Sequence, residues 1–148
     1  MAMTGQQTRA PAQQAMPILY SKPVPLSRAR PGKTSYTAPK NYSFAAQINS
    51  VPVHIGEYPL LVRHYPIVFT STAPAGAVAV LGTKAGQNLF VEPDGSWKEN
   101  TYIPAYIRRY PFILQDNVAE KRLALCIDEG ANATGAGGEP FFAGDDIA

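Results

Sequence analysis

A degenerate internal repeat limits the folds open to this chain more than any other feature. Pro59-Leu60-Leu61-Val62-Arg63-His64-Tyr65-Pro66-Ile67-Val68-Phe69 aligns with Pro104-Ala105-Tyr106-Ile107-Arg108-Arg109-Tyr110-Pro111-Phe112-Ile113-Leu114 at an offset of 45. The two copies share Pro, Arg, Tyr and Pro, followed by an apolar triplet. At the same offset Val78-Ala79-Val80-Leu81 falls on Leu123-Ala124-Leu125-Cys126. Two copies are too few to stack into a solenoid, so the repeat predicts one pseudo-symmetric domain.

Each copy reads as a short helix followed by a hairpin. Pro59 and Pro104 suit the first helical position, where proline's fixed φ is helical and its missing N–H has no partner to lose. Tyr58, Val62 and Tyr65 are spaced i, i+4, i+7, as are Ile103, Ile107 and Tyr110, which predicts one apolar stripe per helix. Arg63-His64 and Arg108-Arg109 then occupy the last turn, where positive charge complements the helix end. Pro66 and Pro111 disfavour helix in the residue before them and stop each helix at its tyrosine. Beyond, Ile67–Thr70, a Pro/Gly turn at Pro74–Gly76 and Val78–Leu81 predict a hairpin. Asn88–Val91 reads as a further strand closed by a tight turn at Glu92-Pro93-Asp94-Gly95, with Trp97 packed on the sheet. In the second copy the strands are Phe112–Leu114 and Leu123–Ile127, and Phe141 and Phe142 either dock back on the sheet or begin a further element.

The expected class is therefore α+β: mainly antiparallel strands with two short helices, preceded by an irregular N-terminal arm. Gly 12 and Pro 14 in 148 residues exclude a helical bundle. The division expected is a basic, Pro-rich arm over residues 1–40, an α+β domain over 41–130 and a Gly-rich acidic tail over 131–148.

Charge is arranged in blocks. Residues 1–56 hold six bases and no acid, 57–115 hold five bases and four acids, and 116–148 hold two bases and seven acids, which together return the net charge of +2. The cationic arm suits an anionic partner such as lipopolysaccharide, acidic lipid or nucleic acid, or else wraps the chain's own acidic end. Tyr20, Tyr36, Tyr42 and Phe44 interleave with those bases, as single-strand binders require, but no RNA-binding sheet motif accompanies them and nucleic acid is not the expected partner. No apolar run is long enough to span a bilayer, since the longest, Ala73 to Gly82, is interrupted by Pro74 and Gly76. Met1 to Gln14 carries no apolar block of a secretory leader, which predicts a cytoplasmic protein or one placed at the surface by another route.

Little in the sequence assembles chemistry. His54, His64, Cys126, Asp128 and Glu129 include metal-ligating and nucleophilic types, but their spacing fits no motif class, so no metal and no catalytic residue is assigned. Lys84-Ala85-Gly86 lacks the glycine and Ser/Thr of a phosphate loop, and no cofactor is expected. The candidate ligand-binding residues are Arg63, Tyr65, Arg108 and Tyr110, basic helix ends beside tyrosines that could frame an anion or carboxylate. Helix capping is the simpler reading of the same placement.

Tyr20–Ser27 (YSKPVPLS), Tyr42–Ala46 (YSFAA), Asn49–Pro52 (NSVP), Tyr65–Phe69 (YPIVF), Asn88–Val91, Tyr110–Leu114 (YPFIL) and Leu125–Glu129 (LCIDE) together resemble the SapC family of bacteria, in order from Tyr20 to about Phe142. The family takes its name from an association with the paracrystalline surface layer of some Gram-negative bacteria. The resemblance implies a non-enzymatic surface-layer-associated or envelope interaction protein, with anionic envelope polysaccharide or other surface-layer components as partners. Family members usually continue beyond the point where this chain stops, which would make it a fragment or a short form. The alternative from the residues themselves is a cytoplasmic accessory protein or enzyme with an anionic small-molecule pocket.

Overall fold

The computed structural model describes residues 16–26, 35–71, 75–117, 121–131, 138–143 and 146–147. The Gly-rich stretch at 132–137, most of the basic arm and Pro74 of the expected turn lie outside them. Among the described residues lie ten short strands and two single-turn α-helices: β1 (Pro23–Pro25), β2 (Ser35–Tyr36), β3 (Ser50–Pro52), α1 (Tyr58–Leu61), β4 (Ile67–Phe69), β5 (Ala77–Val80), α2 (Ala105–Arg108), β6 (Phe112–Asn117), β7 (Arg122–Asp128), β8 (Glu139–Pro140), β9 (Phe142–Ala143) and β10 (Asp146–Ile147). All pairings between them are antiparallel, so the protein is α+β as the sequence predicts.

The repeat is visible as two three-stranded sheets of the same topology, β3-β5-β4 and β1-β7-β6. Each consists of the hairpin that follows a short helix plus one strand from upstream, laid against the second hairpin strand. In the first sheet the central row is Val51, Ala79, Ile67; in the second it is Val24, Ile127, Phe112. The upstream strands Ser50-Val51-Pro52 and Pro23-Val24-Pro25 occupy equivalent places. The second unit is discontinuous, because the whole first unit lies between its edge strand and its helix.

The register corrects one detail of the sequence alignment. Ile67 pairs with Ala79 and Phe112 with Ile127, so the first hairpin strands correspond at 45 residues but the second at 48. Val78–Leu81 therefore matches Cys126–Glu129, not Leu123–Cys126. The apolar run Leu123–Ile127 favours the 45-residue alignment in sequence, because at 48 Val80 and Leu81 fall on Asp128 and Glu129, and only cross-strand bonding reveals that register.

Pro59 does sit in the first turn of α1, and Pro104 is the residue just before α2. Each helix is a single turn, shorter than the two turns the periodicity argument assumed. The buried face of α1 is consequently set by Leu61, fully buried, and Tyr65 four residues on, while Val62 is 61% exposed. Arg63 falls beyond α1 in the following turn rather than in its last helical turn. The second stripe follows the sequence expectation, with Ile107 fully buried.

Asn88–Val91 is not a strand. Asn88 turns its side chain inward, donating from Nδ2 to the Ala45 carbonyl at 3.0 Å and accepting the Phe90 N–H at 2.9 Å. That local amide bond competes with a ladder and leaves only the isolated bridge Val91 to Trp97. The turn at 92–95 forms as expected: the Gly95 N–H donates to the Glu92 carbonyl at 2.8 Å, and Gly95 has φ +85°. A side chain there would also collide with Asn41 and Ser43.

The main core lies on the first sheet, where Val51, Leu61, Tyr65, Ala79, Leu81 and Trp97 pack with Ile107 from α2. The second sheet has a small cluster of its own, Tyr20, Ile113 and Cys126. Tyr36 and Phe112, at 4.9 Å between ring centres, receive Phe141, which docks back as the sequence allows.

Candidate functional site

Glu57 joins the two halves of the repeat. It closes a capping box with His54, whose Nδ1 accepts the Gly56 N–H at 3.1 Å. Its Oε1 then accepts the Ala105 N–H at 2.7 Å and the Tyr102 hydroxyl at 3.0 Å, so the carboxylate also serves the start of α2. Arg108 reaches the same hydroxyl, donating from Nη2 at 2.8 Å, and its Nε donates to the Ile103 carbonyl at 3.0 Å. Its guanidinium lies 5.3 Å from the centre of the Tyr102 ring. Desolvation, followed by the neighbouring Glu57 charge, raises the Tyr102 pKa against the opposing pull of Arg108.

Tyr65 is buried beneath this group. Its hydroxyl donates to the Tyr102 carbonyl and accepts the Trp97 indole N–H at 3.3 Å. Burial raises its pKa. Arg63 is exposed and has no partner among the described residues.

Tyr110 belongs to a different cluster. Its ring stacks on Phe44 at 4.4 Å between centres and tilts against Tyr20 at 5.6 Å. Its hydroxyl donates to Asp128 Oδ2 at 3.4 Å. Burial and then the Asp128 charge push its pKa up. Arg108 and Tyr110 do line one cavity of about 210 Å³ with Lys40, Asn41 and Tyr42. Arg63 and Tyr65 are not among its walls. Of the four candidate residues, two share a cavity and two do not.

Asp128, which the sequence offers only as a metal-ligating type without a motif, organises this cluster. It is 1% exposed. Its carboxylate accepts the Lys22 N–H at 2.6 Å, the Ser21 N–H at 3.1 Å and the Gly130 N–H at 3.3 Å, besides the Ser21 and Tyr110 hydroxyls. Gly130 has no room for a Cβ, which would lie 1.9 Å from Ser21 Oγ. This is a clasp that fastens the segment before β1 to the end of β7, with the Lys22–Glu129 ion pair at 2.9 Å beside it. The one signal in the sequence is an aspartate following the apolar run Leu123–Ile127, where a strand would bury it.

The remaining chemical types stay apart. His64 lies with its ring 6.0 Å from that of Tyr65, and Cys126 is a buried free thiol whose pKa is raised by burial. Among the described residues no group of three metal-ligating side chains comes together. Among them, too, no helix is long and apolar enough to cross a membrane.

Comparison with protein-family models matches residues 26–147 to SapC. No curated protein and no solved structure gives a significant match. The matched region runs from the end of β1 through both hairpins to β10 and holds most of the clasp and the bridge described above; on that match, the chain belongs to the SapC family.

Proposed function

We propose that this SapC chain is a non-enzymatic binding protein that works through its surface, associated with a surface layer or another envelope component. The observation that carries this reading is the use to which its reactive-looking groups are put. Tyr65, Arg108, Tyr110, His54 and Asp128 are each spent on an intramolecular bond that holds the fold. Anionic envelope polysaccharide is the partner chemistry that suits the basic residues of the N-terminal third.

Protease shaving of intact host cells tests the location. Loss of the protein on shaving is the expected result, and a protected soluble pool would overturn it. Binding to purified envelope polysaccharide should weaken steeply with added salt, since exposed charges are screened within about 8 Å at physiological ionic strength.

The cavity between Lys40, Asn41, Arg108 and Tyr110 favours a second reading, an anionic small-molecule site. Arg108→Ala should then abolish ligand binding at an unchanged melting temperature, with Arg63→Ala as the silent control. Lost stability alone would leave Arg108 its bridging role to Tyr102.

A further inference from the structure

In each sheet one edge strand carries proline and the other does not. In β1 the Leu26 N–H donates to the Leu125 carbonyl, so by antiparallel alternation Val24 bonds to β7 while Pro23 and Pro25 face outward. In β3 the Val53 N–H donates to the Ala77 carbonyl, which turns Pro52 outward in the same way. These edges present prolines, which have no N–H to offer another strand.

The far edge of the second sheet, β6, has no proline, lysine or arginine from Phe112 to Asn117. The Asp128 N–H donates to the Pro111 carbonyl, which sets Ile113, Gln115 and Asn117 toward β7 and Phe112, Leu114 and Asp116 outward. Both outward groups of Phe112 are occupied, its N–H by the Arg109 carbonyl at 2.7 Å and its carbonyl by the Tyr20 hydroxyl at 2.6 Å. The outward N–H and C=O of Leu114 and Asp116 have no partner among the described residues. On the face beside them Leu114 opposes Leu125, with Leu123 next along β7, and these are 57%, 37% and 60% exposed.

We infer that β6 is an interface for a second copy of this chain, added antiparallel about a two-fold axis at Gln115. In that register Leu114 pairs with the partner's Asp116 and Asp116 with the partner's Leu114. The four backbone bonds formed use only groups that have no partner among the described residues. The two sheets become one of six strands, and their leucine stripes meet across the axis. The charge pattern selects this register: an axis at Asp116 would oppose two carboxylates, and an axis at Leu114 would call on the occupied groups of Phe112. The β4 edge offers as many outward residues, Ile67 and Phe69, but is three residues long against six for β6, and is the lesser candidate on length. The inference does not depend on the surface or envelope assignment.

Sedimentation equilibrium of the full chain, with residue-resolved amide exchange at several concentrations, tests it. The expected result is a concentration-dependent dimer in which the Leu114 and Asp116 amides slow as dimer forms, while the Ile113 and Gln115 amides are protected throughout. Leu114→Pro keeps every bond to β7, since the N–H it removes points outward, and should raise the dimer dissociation constant at least about tenfold. Leu114→Lys keeps the backbone intact and should do the same by charge. A monomer at millimolar concentration overturns the inference, as does a dimer that leaves the Leu114 amide unprotected or survives both substitutions in folded protein. Open-ended growth also overturns it, because a closed two-fold pair cannot propagate.

Discussion

The two halves of the repeat share a topology and are consolidated by different means. The first sheet rests on apolar volume: Leu61, Val51, Leu81 and Trp97 fill its core, joined by Ile107 borrowed from the second helix. The second has a thin cluster of Tyr20, Ile113 and Cys126 and is fastened by polar bonds, chiefly the Asp128 clasp and the Tyr20 hydroxyl on the Phe112 carbonyl. The second helix is shared: Ile107 turns into the first core, while Tyr106 of the same helix packs edge-on against Tyr20 in the second. The second sheet keeps one face with exposed leucines and an edge whose outward groups at Leu114 and Asp116 have no partner among the described residues. Topology fixes which strands pair, while the side chains of one shared helix are divided between the two cores.

The largest expected effect that sharpens this contrast is Leu61→Ala. It leaves a cavity among fully buried neighbours and should cost about 2–5 kcal/mol, read from denaturant unfolding. Asp128→Asn comes next. It keeps the shape of the side chain but replaces a carboxylate acceptor of three backbone N–H groups, and about 1–3 kcal/mol should be lost. Were Leu61→Ala the milder of the two, the polar clasp would be the stronger element and the contrast would be reversed.

Tyr20 gives a smaller effect with a pH signature. Burial raises its pKa to about 12, against the opposing pull of Arg109. Below pH 10 the phenol is neutral whether folded or not and contributes no pH dependence. Between pH 10 and about 12 the unfolded chain releases the proton first, so stability falls as pH rises. Tyr20→Phe should lower stability at neutral pH by about 1 kcal/mol, the net worth of its hydrogen bond, and should flatten the alkaline loss in a melting-temperature series. The smallest effect belongs to Leu123→Ser, an exposed position where the change should stay within about 0.5 kcal/mol.

Local signals made much of this legible in the sequence. Proline at 59 and 104 marks the helix starts, the turn at 92–95 forms where Pro-Asp-Gly stands, and both hairpins follow their apolar runs. Single-turn helices carry too little periodicity to choose between Leu61 and Val62 for the buried face. The three-residue register difference between the hairpins lies in cross-strand bonding, which repeat alignment does not see. β1 escaped notice because Pro23-Val24-Pro25 reads as irregular chain, and its partner β7 lies about a hundred residues away. The candidate site suffered most. Arg108 and Tyr110 resemble a pair in sequence, yet one turns to Tyr102 and the other to Asp128, and Glu57 and Asp128 organise both without any motif to announce them.

Amide exchange in the Asp128→Asn protein, monitored at Leu26 and Glu129 in the second unit and at Val53 and Leu81 in the first, tests the central claim most directly. Those four N–H groups bond to Leu125, Lys22, Ala77 and Asn49 respectively. If the units are consolidated separately, exchange at Leu26 and Glu129 should quicken at least about tenfold, with Val53 and Leu81 little changed. Equal acceleration at all four amides, or none at any, would contradict it.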